Sequence, residues 1–229
     1  MAEFRDVDAI LFDSGDTLVR PVSDEWLPGP IFRRIVAEAG VDVDWTQLAR
    51  GHEAGTVRLL ANHLLASEDE EIERYAAYCA ALLDALGLGN AGLDAHEIAR
   101  QMVLQIEIEP FPDVRPALER LQSQGFTLGV ISNGWPSLDR QLRTIDLRRY
   151  FDLLIVSAHV GSRKPEARIF EYALEQLGED AGNVLLVDDA PENIVAAHAL
   201  GMQGVVVVRI GDPPANLPWV RSLAELEVR

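Results

Sequence analysis

Residues 184–201 read VLLVDDAPENIVAAHALG. An unbroken apolar run, Val184 to Val187, stops at two consecutive aspartates, and a helical stretch then opens at Pro191 and ends at Gly201. A short run that is apolar at every residue reads as a parallel strand buried on both faces. Proline at the start and glycine past the end mark where a helix begins and stops. The unit is therefore strand, acidic turn, helix. Four other runs have the same character: Val7 to Phe12, Phe126 to Ile131, Leu153 to Val156 and Val205 to Val208. Helical patterns separate the last four of the five strands. Val114, Leu118 and Leu121 recur on one face after Pro112, with Gly125 as the stop; Ile169, Phe170, Ala173, Leu174 and Leu177 form a second stripe ending at Gly178. This alternation predicts an α/β fold, a doubly wound parallel Rossmann-like sheet.

Between the first and second strands the pattern changes. Residues from about 21 to 108 hold no convincing strand and several amphipathic helices, which predicts an inserted α-helical domain (21–108) in an α/β core made of 1–20 and 109–229. Ile31 to Ala39 and Trp45 to Leu65 read as helices, the second interrupted by Gly51 and Gly55. Ser67 with Glu70, and Asp94 with Glu97, have capping-box spacing and start two more. Short linkers near 19–24 and 108–112 join insert to core, and the proline-rich DPPANLPW at 212–219 reads as a surface loop crossing the end of the sheet.

Composition narrows the function. With 20 Lys and Arg against 37 Asp and Glu, the net charge is −17, and no basic run opposes it. That field repels nucleic-acid phosphates, so nucleic acid is not expected as a partner. The N-terminus MAEFRDVDAILF is too charged, and its apolar run too short, for a signal peptide or membrane span, which predicts a cytoplasmic protein away from membranes. The single cysteine, Cys79, excludes an intrachain disulfide and falls on the apolar stripe of the Ile72 to Leu86 helix, where it reads as core.

The polar residues that follow the apolar runs are the informative ones. Asp13 ends the first strand in DSGDTL (13–18), and Ser132, Asn133 and Gly134 end the second. Lys164, the only lysine among 20 basic side chains, follows the third in SRKPEARIF; Asp188 and Asp189 end the fourth in DDAPEN (188–193). Ligands of open α/β sheets bind at the carboxyl ends of strands, so these four sites read as one centre. Two carboxylates about 4 Å apart repel by roughly 4 kcal/mol at an effective dielectric near 20. One lysine cannot neutralise three carboxylates, whereas a dication can, and all-oxygen ligands favour Mg²⁺ over zinc or copper.

The four sites, in this order, resemble the motifs of the haloacid dehalogenase-like hydrolase superfamily, whose members are mostly phosphatases, over nearly the whole chain. The resemblance implies a phosphohydrolase acting on a small phosphorylated metabolite. In it Asp13 is the nucleophile that forms an aspartyl-phosphate, and Ser132 and the backbone of Asn133 and Gly134 hold the phosphoryl oxygens. Lys164 offsets the charge on Asp13 and the phosphoryl group. Asp189, Asp13 and the carbonyl of Gly15 bind Mg²⁺ with Asp188 in support, and Asn193 stands behind them. The insert corresponds to a cap that closes over the site.

One position departs from the family. Its phosphatases carry an aspartate two residues after the nucleophile, which protonates the leaving group and then activates water; here Gly15 stands there, and Asp16 stands where glycine is usual. Losing general acid–base help typically costs ~10² to 10⁴ in rate, so a slow hydrolase or a non-hydrolytic phosphate- or metabolite-binding regulatory protein is implied. Asp16 is either a turn residue or a displaced acid/base. By the same resemblance, phosphonate hydrolysis would need a Schiff-base lysine from the cap, and 21–108 holds no lysine; the metal-free haloacid dehalogenases of the family lack paired aspartates, so Asp188 and Asp189 argue against that activity. His52, His63, His96, His159 and His198 lack metal-binding spacing and read as surface or packing residues. Trp135, Arg50 and Arg58 are candidate pocket residues that read more simply as packed or exposed; Trp26, Trp45 and Trp219 read as core or interdomain contacts. No oligomeric state follows from the sequence.

Overall fold

The chain starts in β1 (Glu3–Phe4), β2 (Ala9–Phe12) and β3 (Val19–Pro21), and passes through α1 (Gly29–Glu38), α2 (Leu48–Leu60), α3 (Glu68–Ala85) and α4 (Ala95–Leu104) before returning in β4 (Ile108–Pro110). There follow α5 (Val114–Ser123), β5 (Thr127–Ser132), α6 (Leu138–Thr144), β6 (Leu153–Val156), α7 (Ser157–Val160), α8 (Ala167–Leu177), β7 (Val184–Asp188), α9 (Pro191–Ala199), β8 (Gln203–Val207), β9 (Trp219–Val220) and β10 (Glu227–Val228). The computed structural model describes residues 3–23, 25–41, 43–60, 64–105 and 107–229. Two compact units emerge: Met1–Arg20 with Glu109–Gly134 and Leu138–Arg229, and Pro21–Ile108 with Trp135–Ser137.

In the first unit six parallel strands lie in the order β6-β5-β2-β7-β8-β9. The central strands are buried at every residue because helices cover the sheet on both sides. Leu11, Ile131, Ile155 and Leu186 share one face with Ile169, Phe170 and Ala173 of α8 and Ile194 and Ala197 of α9. Gly178, in the left-handed region at φ 70, ends α8 by donating its N–H to Leu174. The strand sequence moves outward from β2 to β5 and β6 and then resumes on the other side of β2 at β7. That reversal is the switch point where open sheets leave a crevice. Register sets what faces it: Phe12 pairs with Val130 and with Val187, so Asp13 follows β2 at the level of Asp188.

The second unit is helical, with a core of Phe32, Leu59, Tyr78, Leu82, Ile98 and neighbours. Ser67 caps α3 by accepting from the N–H of Glu70, and Asp94 caps α4 by accepting from His96 and Glu97. Gly51 and Gly55 do not interrupt α2. A Cβ on Gly51 would stand 2.9 Å from Cβ of Ala85, and one on Gly55 2.6 Å from Cδ2 of Tyr78, so both glycines exist to bring α2 against α3. Cys79 is fully buried, and burial pushes its thiol up to about 12.

Several expectations need correction. The linkers are paired strands, β3 with β4, so strand reaches Pro21 and Ile108 at the ends of the insert. The helix expected over Trp45 to Leu65 is a 3₁₀ turn at Trp45–Gln47 followed by α2, whose end at Leu60 borders residues outside those described. The proline-rich loop ends at Pro218; Trp219 and Val220 add an edge strand to the sheet, too short to leave a periodic signal. Trp26 and Trp219 are 45% and 40% exposed rather than core, while Trp45 packs on the helical core.

Candidate active site

The polar residues at the strand ends of the α/β unit are buried and bonded to one another. Lys164, 2% exposed, donates from Nζ to Oδ1 of Asp13 at 2.5 Å and to Oδ2 of Asp188 at 2.6 Å. Its backbone is held as firmly. Asn133 accepts the Lys164 N–H on Oδ1 at 2.7 Å and donates from Nδ2 to the Lys164 carbonyl at 2.9 Å. Asp188 is saturated: its other oxygen accepts from the N–H of Ala190 and from Nδ2 of Asn193, each at 2.9 Å. Asp13 is tied into the sheet by its own N–H, which donates to Val187, and Lys164 is the only hydrogen-bond donor to its carboxylate among the described residues.

Ser132 is the last residue of β5 and is buried. Gly134 leaves it room, since a Cβ there would lie 3.1 Å from the Ser132 hydroxyl oxygen, and the Gly134 carbonyl accepts from Ser157 Oγ at 3.2 Å. On the other side of the centre, Ser14 to Val19 fold into a tight turn in which Leu18 and Val19 both donate to the Ser14 carbonyl. Asp16 is exposed and left-handed at φ 55, and its N–H donates to Val19. Aspartate tolerates that backbone region better than most residues. The left-handed backbone fits Asp16 to the turn, in the place where the related motif has glycine, and its carboxylate is close enough to act on Asp189; Gly15 stands before it without a side chain.

The centre has too much negative charge for its one lysine. Burial pushes Asp13 up to about 7, with Asp188 and Asp189 adding to the effect and Lys164 opposing it. Burial also pushes Asp189 up to about 6, helped by Asp188 and Asp16. Burial alone would lower Lys164, but Asp13 and Asp188 outweigh it and raise it, so the ammonium is firmly charged. Among the described residues no three His, Cys, Asp or Glu side chains are grouped to hold a metal ion. Two carboxylates with a backbone carbonyl, and water in the remaining positions, nevertheless make a donor set that suits Mg²⁺. The uncompensated charge on Asp13 and Asp189 is the feature a dication fits.

Sequence reasoning assigned the Asn133 backbone to the site and missed its side chain, which fixes Lys164. The only signal was an amide at a strand end. It also missed Ser157. Of the other candidates, Arg50 and Arg58 are exposed on α2 of the helical unit, and Trp135 packs edge-to-face on Tyr75 at 6.0 Å within the same unit. His52 bonds the Tyr78 hydroxyl at 2.8 Å, His96 pairs with Glu73, and His159 and His198 are exposed; His63 is outside the described residues. No helix among the described residues is long and apolar enough to cross a membrane.

The chain is 28% identical to a phosphoglycolate phosphatase of Aquifex aeolicus, covering 95% of each chain. It spans less than half the length of the first curated relatives it matches, 45% and 38%. Among solved structures it superposes on a phosphatase of Thermococcus onnurineus, named as a haloacid dehalogenase-type enzyme, with a TM-score of 0.65 at 26% identity. The match covers 96% of this chain and 95% of that one. A dehalogenase superposes equally well, TM-score 0.65 at 25% identity, with the same coverage. The sequence pattern of the haloacid dehalogenase-like hydrolases spans residues 7–201, strand ends and helical insert together, and the chain belongs to that family.

Proposed function

We propose that the protein is a Mg²⁺-dependent phosphohydrolase acting on a small phosphorylated metabolite through an aspartyl-phosphate. The observation that carries this reading is the bridge from Lys164 to both Asp13 and Asp188 beside the buried Ser132. Lys164 occupies Oδ1 of Asp13, which leaves Oδ2 for in-line attack on phosphorus as the ester oxygen departs. Ser132 and the N–H groups of Asn133 and Gly134 hold the phosphoryl oxygens, and Lys164 offsets the charge that gathers there. Asp13, Asp189 and the carbonyl of Gly15 would hold the metal, with Asp188 aligning Lys164 through a carboxylate that is itself fixed by Ala190 and Asn193. Mg²⁺, when bound, neutralises the carboxylates and the incoming phosphate. Water then cleaves the acyl-phosphate, releasing inorganic phosphate and restoring the Asp13 carboxylate.

Gly15 shapes the substrate range. With no acid beside the leaving group, esters whose oxygen departs unprotonated, the aryl and acyl phosphates, turn over faster than alkyl phosphates. The test is phosphate release from aryl, acyl and sugar phosphates with Mg²⁺ and with EDTA, Asp13→Asn serving as control. Metal-dependent release that the control lacks supports the reading, and equal rates on aryl and alkyl esters overturn the leaving-group argument. The glycine at position 15 also favours a second reading, a phosphate-binding regulatory protein on the same fold. Mg²⁺ and phosphate binding with no release from any ester would select it. The dehalogenase likeness is tested in the same assay format: halide release from a 2-haloacid without metal would replace the phosphatase reading.

A further inference from the structure

Helix α3 opens with four consecutive acidic residues, Glu68 to Glu71, a run that ordinarily lies in water. Two behave in that way, Asp69 and Glu70 being exposed, with Glu70 reaching back to the N–H of Ala66 at 2.6 Å, while Glu68 is half-buried. Glu71 does not. It is 2% exposed, and its two oxygens accept from the N–H and the hydroxyl of Ser137 at 2.8 and 2.7 Å. Taking a carboxylate out of water costs several kcal/mol unless its lone pairs are met, and the bidentate grip on Ser137 meets one lone pair on each oxygen. One turn along α3, Tyr75 meets Trp135 edge-to-face with rings 73° apart. Both gripped residues belong to Trp135–Ser137, the three-residue stretch that is counted with the helical unit although the chain on either side of it is not.

That stretch is the direct continuation of Ser132, Asn133 and Gly134. Resting on the phosphohydrolase reading, we propose that Glu71, assisted by Tyr75, is a positioning residue for the phosphoryl-binding loop. Trp135 follows Gly134 directly and the ring of Pro136 fixes its φ, so holding Trp135 and Ser137 narrows where the Asn133 and Gly134 N–H groups can point. At its other end the same loop is pinned by Asn133 on Lys164 and by Ser157 on the Gly134 carbonyl.

The experiment compares wild type with Glu71→Leu, Glu71→Gln and Ser137→Ala by amide hydrogen exchange and by inorganic phosphate affinity in the presence of Mg²⁺. Glu71→Leu is expected to speed exchange at 133–137 at least ten-fold and to weaken phosphate about ten-fold. Glu71→Gln, which keeps one acceptor, should recover most of both, and Ser137→Ala should fall between them should the leucine variant not fold. Unchanged exchange at 133–137, or a change spread evenly over α2, α3 and α4, would mean that Glu71 serves packing alone and would overturn the proposal. In a wild type that hydrolyses no phosphoester the functional reading fails, while the exchange pattern still decides whether Glu71 holds the loop.

Discussion

Asp113, half-buried, and Asp13, buried, are both carboxylates of the α/β unit paired with a single cation, yet their surroundings are opposite. Asp113 accepts from Nη1 of Arg209 on both oxygens at 2.9 and 2.8 Å, from Ser222 Oγ at 2.8 Å and from the Leu223 N–H at 2.6 Å. Burial alone would raise it, but these donors outweigh burial and hold it below the ordinary carboxylate range. Arg209 also stacks on Phe111 at 4.2 Å and donates to the Thr17 carbonyl. Donors there are in surplus. Around Asp13 one ammonium serves two carboxylates with a third nearby, and the result is a carboxyl pushed up to about 7. A cluster that only holds the fold together can be completed by the chain itself, whereas one that binds a cation and a phosphate, as proposed for Asp13, would have to be left incomplete.

The comparison can be broken at several points. The largest effect belongs to Asp13→Asn: phosphate release should fall by at least ~10³-fold, as for loss of a nucleophile, with little change in the melting temperature. Next is Arg209→Met, which takes the cation from Asp113 and leaves it only Ser222 and Leu223 as donors; it should cost about 1–3 kcal/mol in urea unfolding, and a loss below ~0.5 kcal/mol would deny that this cluster is structural. Gly15→Asp sharpens the contrast by adding a carboxylate to the deficient site. Turnover of alkyl phosphates should rise about 10²-fold, and the metal-free protein should melt earlier than wild type.

Smaller effects test the helical unit and the sign of the titrations. Gly55→Ala, which pushes a methyl toward Tyr78, should destabilise by about 1–3 kcal/mol with no change in the Mg²⁺ requirement. Asp189 and Asp113 should oppose each other in a pH series. A carboxyl raised to about 6 binds its proton more tightly folded than unfolded, so Asp189 makes the metal-free protein lose stability as pH rises from near 4 through 6. Asp189→Asn should therefore gain about 1 kcal/mol at pH 7.5 without Mg²⁺, after allowing for its partial exposure. Asp113, held low, contributes stability above its unfolded value that is lost as pH falls through the folded one, so Asp113→Asn should flatten the acid limb of the melting curve. Parallel pH profiles for the two variants would remove the distinction.

Local pattern accounts for what was legible. The apolar runs Val7 to Phe12, Phe126 to Ile131, Leu153 to Val156, Val184 to Val187 and Val205 to Val208 match β2, β5, β6, β7 and β8 to within two residues at each end, and the stripes after Pro112, before Gly178 and from Pro191 are helices, because burial on a sheet or on a helix face imposes its period on neighbouring residues. The sequence by itself therefore determined the α/β class, the helical insert and the polar residue types waiting at the strand ends. Tertiary structure alone decided what those residues do to one another. Lys164 meets Asp13 across 151 residues, Asn133 clasps Lys164 across 31, and Glu71 is drawn out of an acidic run to Ser137 across 66. Such bonds connect residues that share no period, and a carboxylate in water has the same letter as one buried against a serine. Only sheet register and helix packing choose between them.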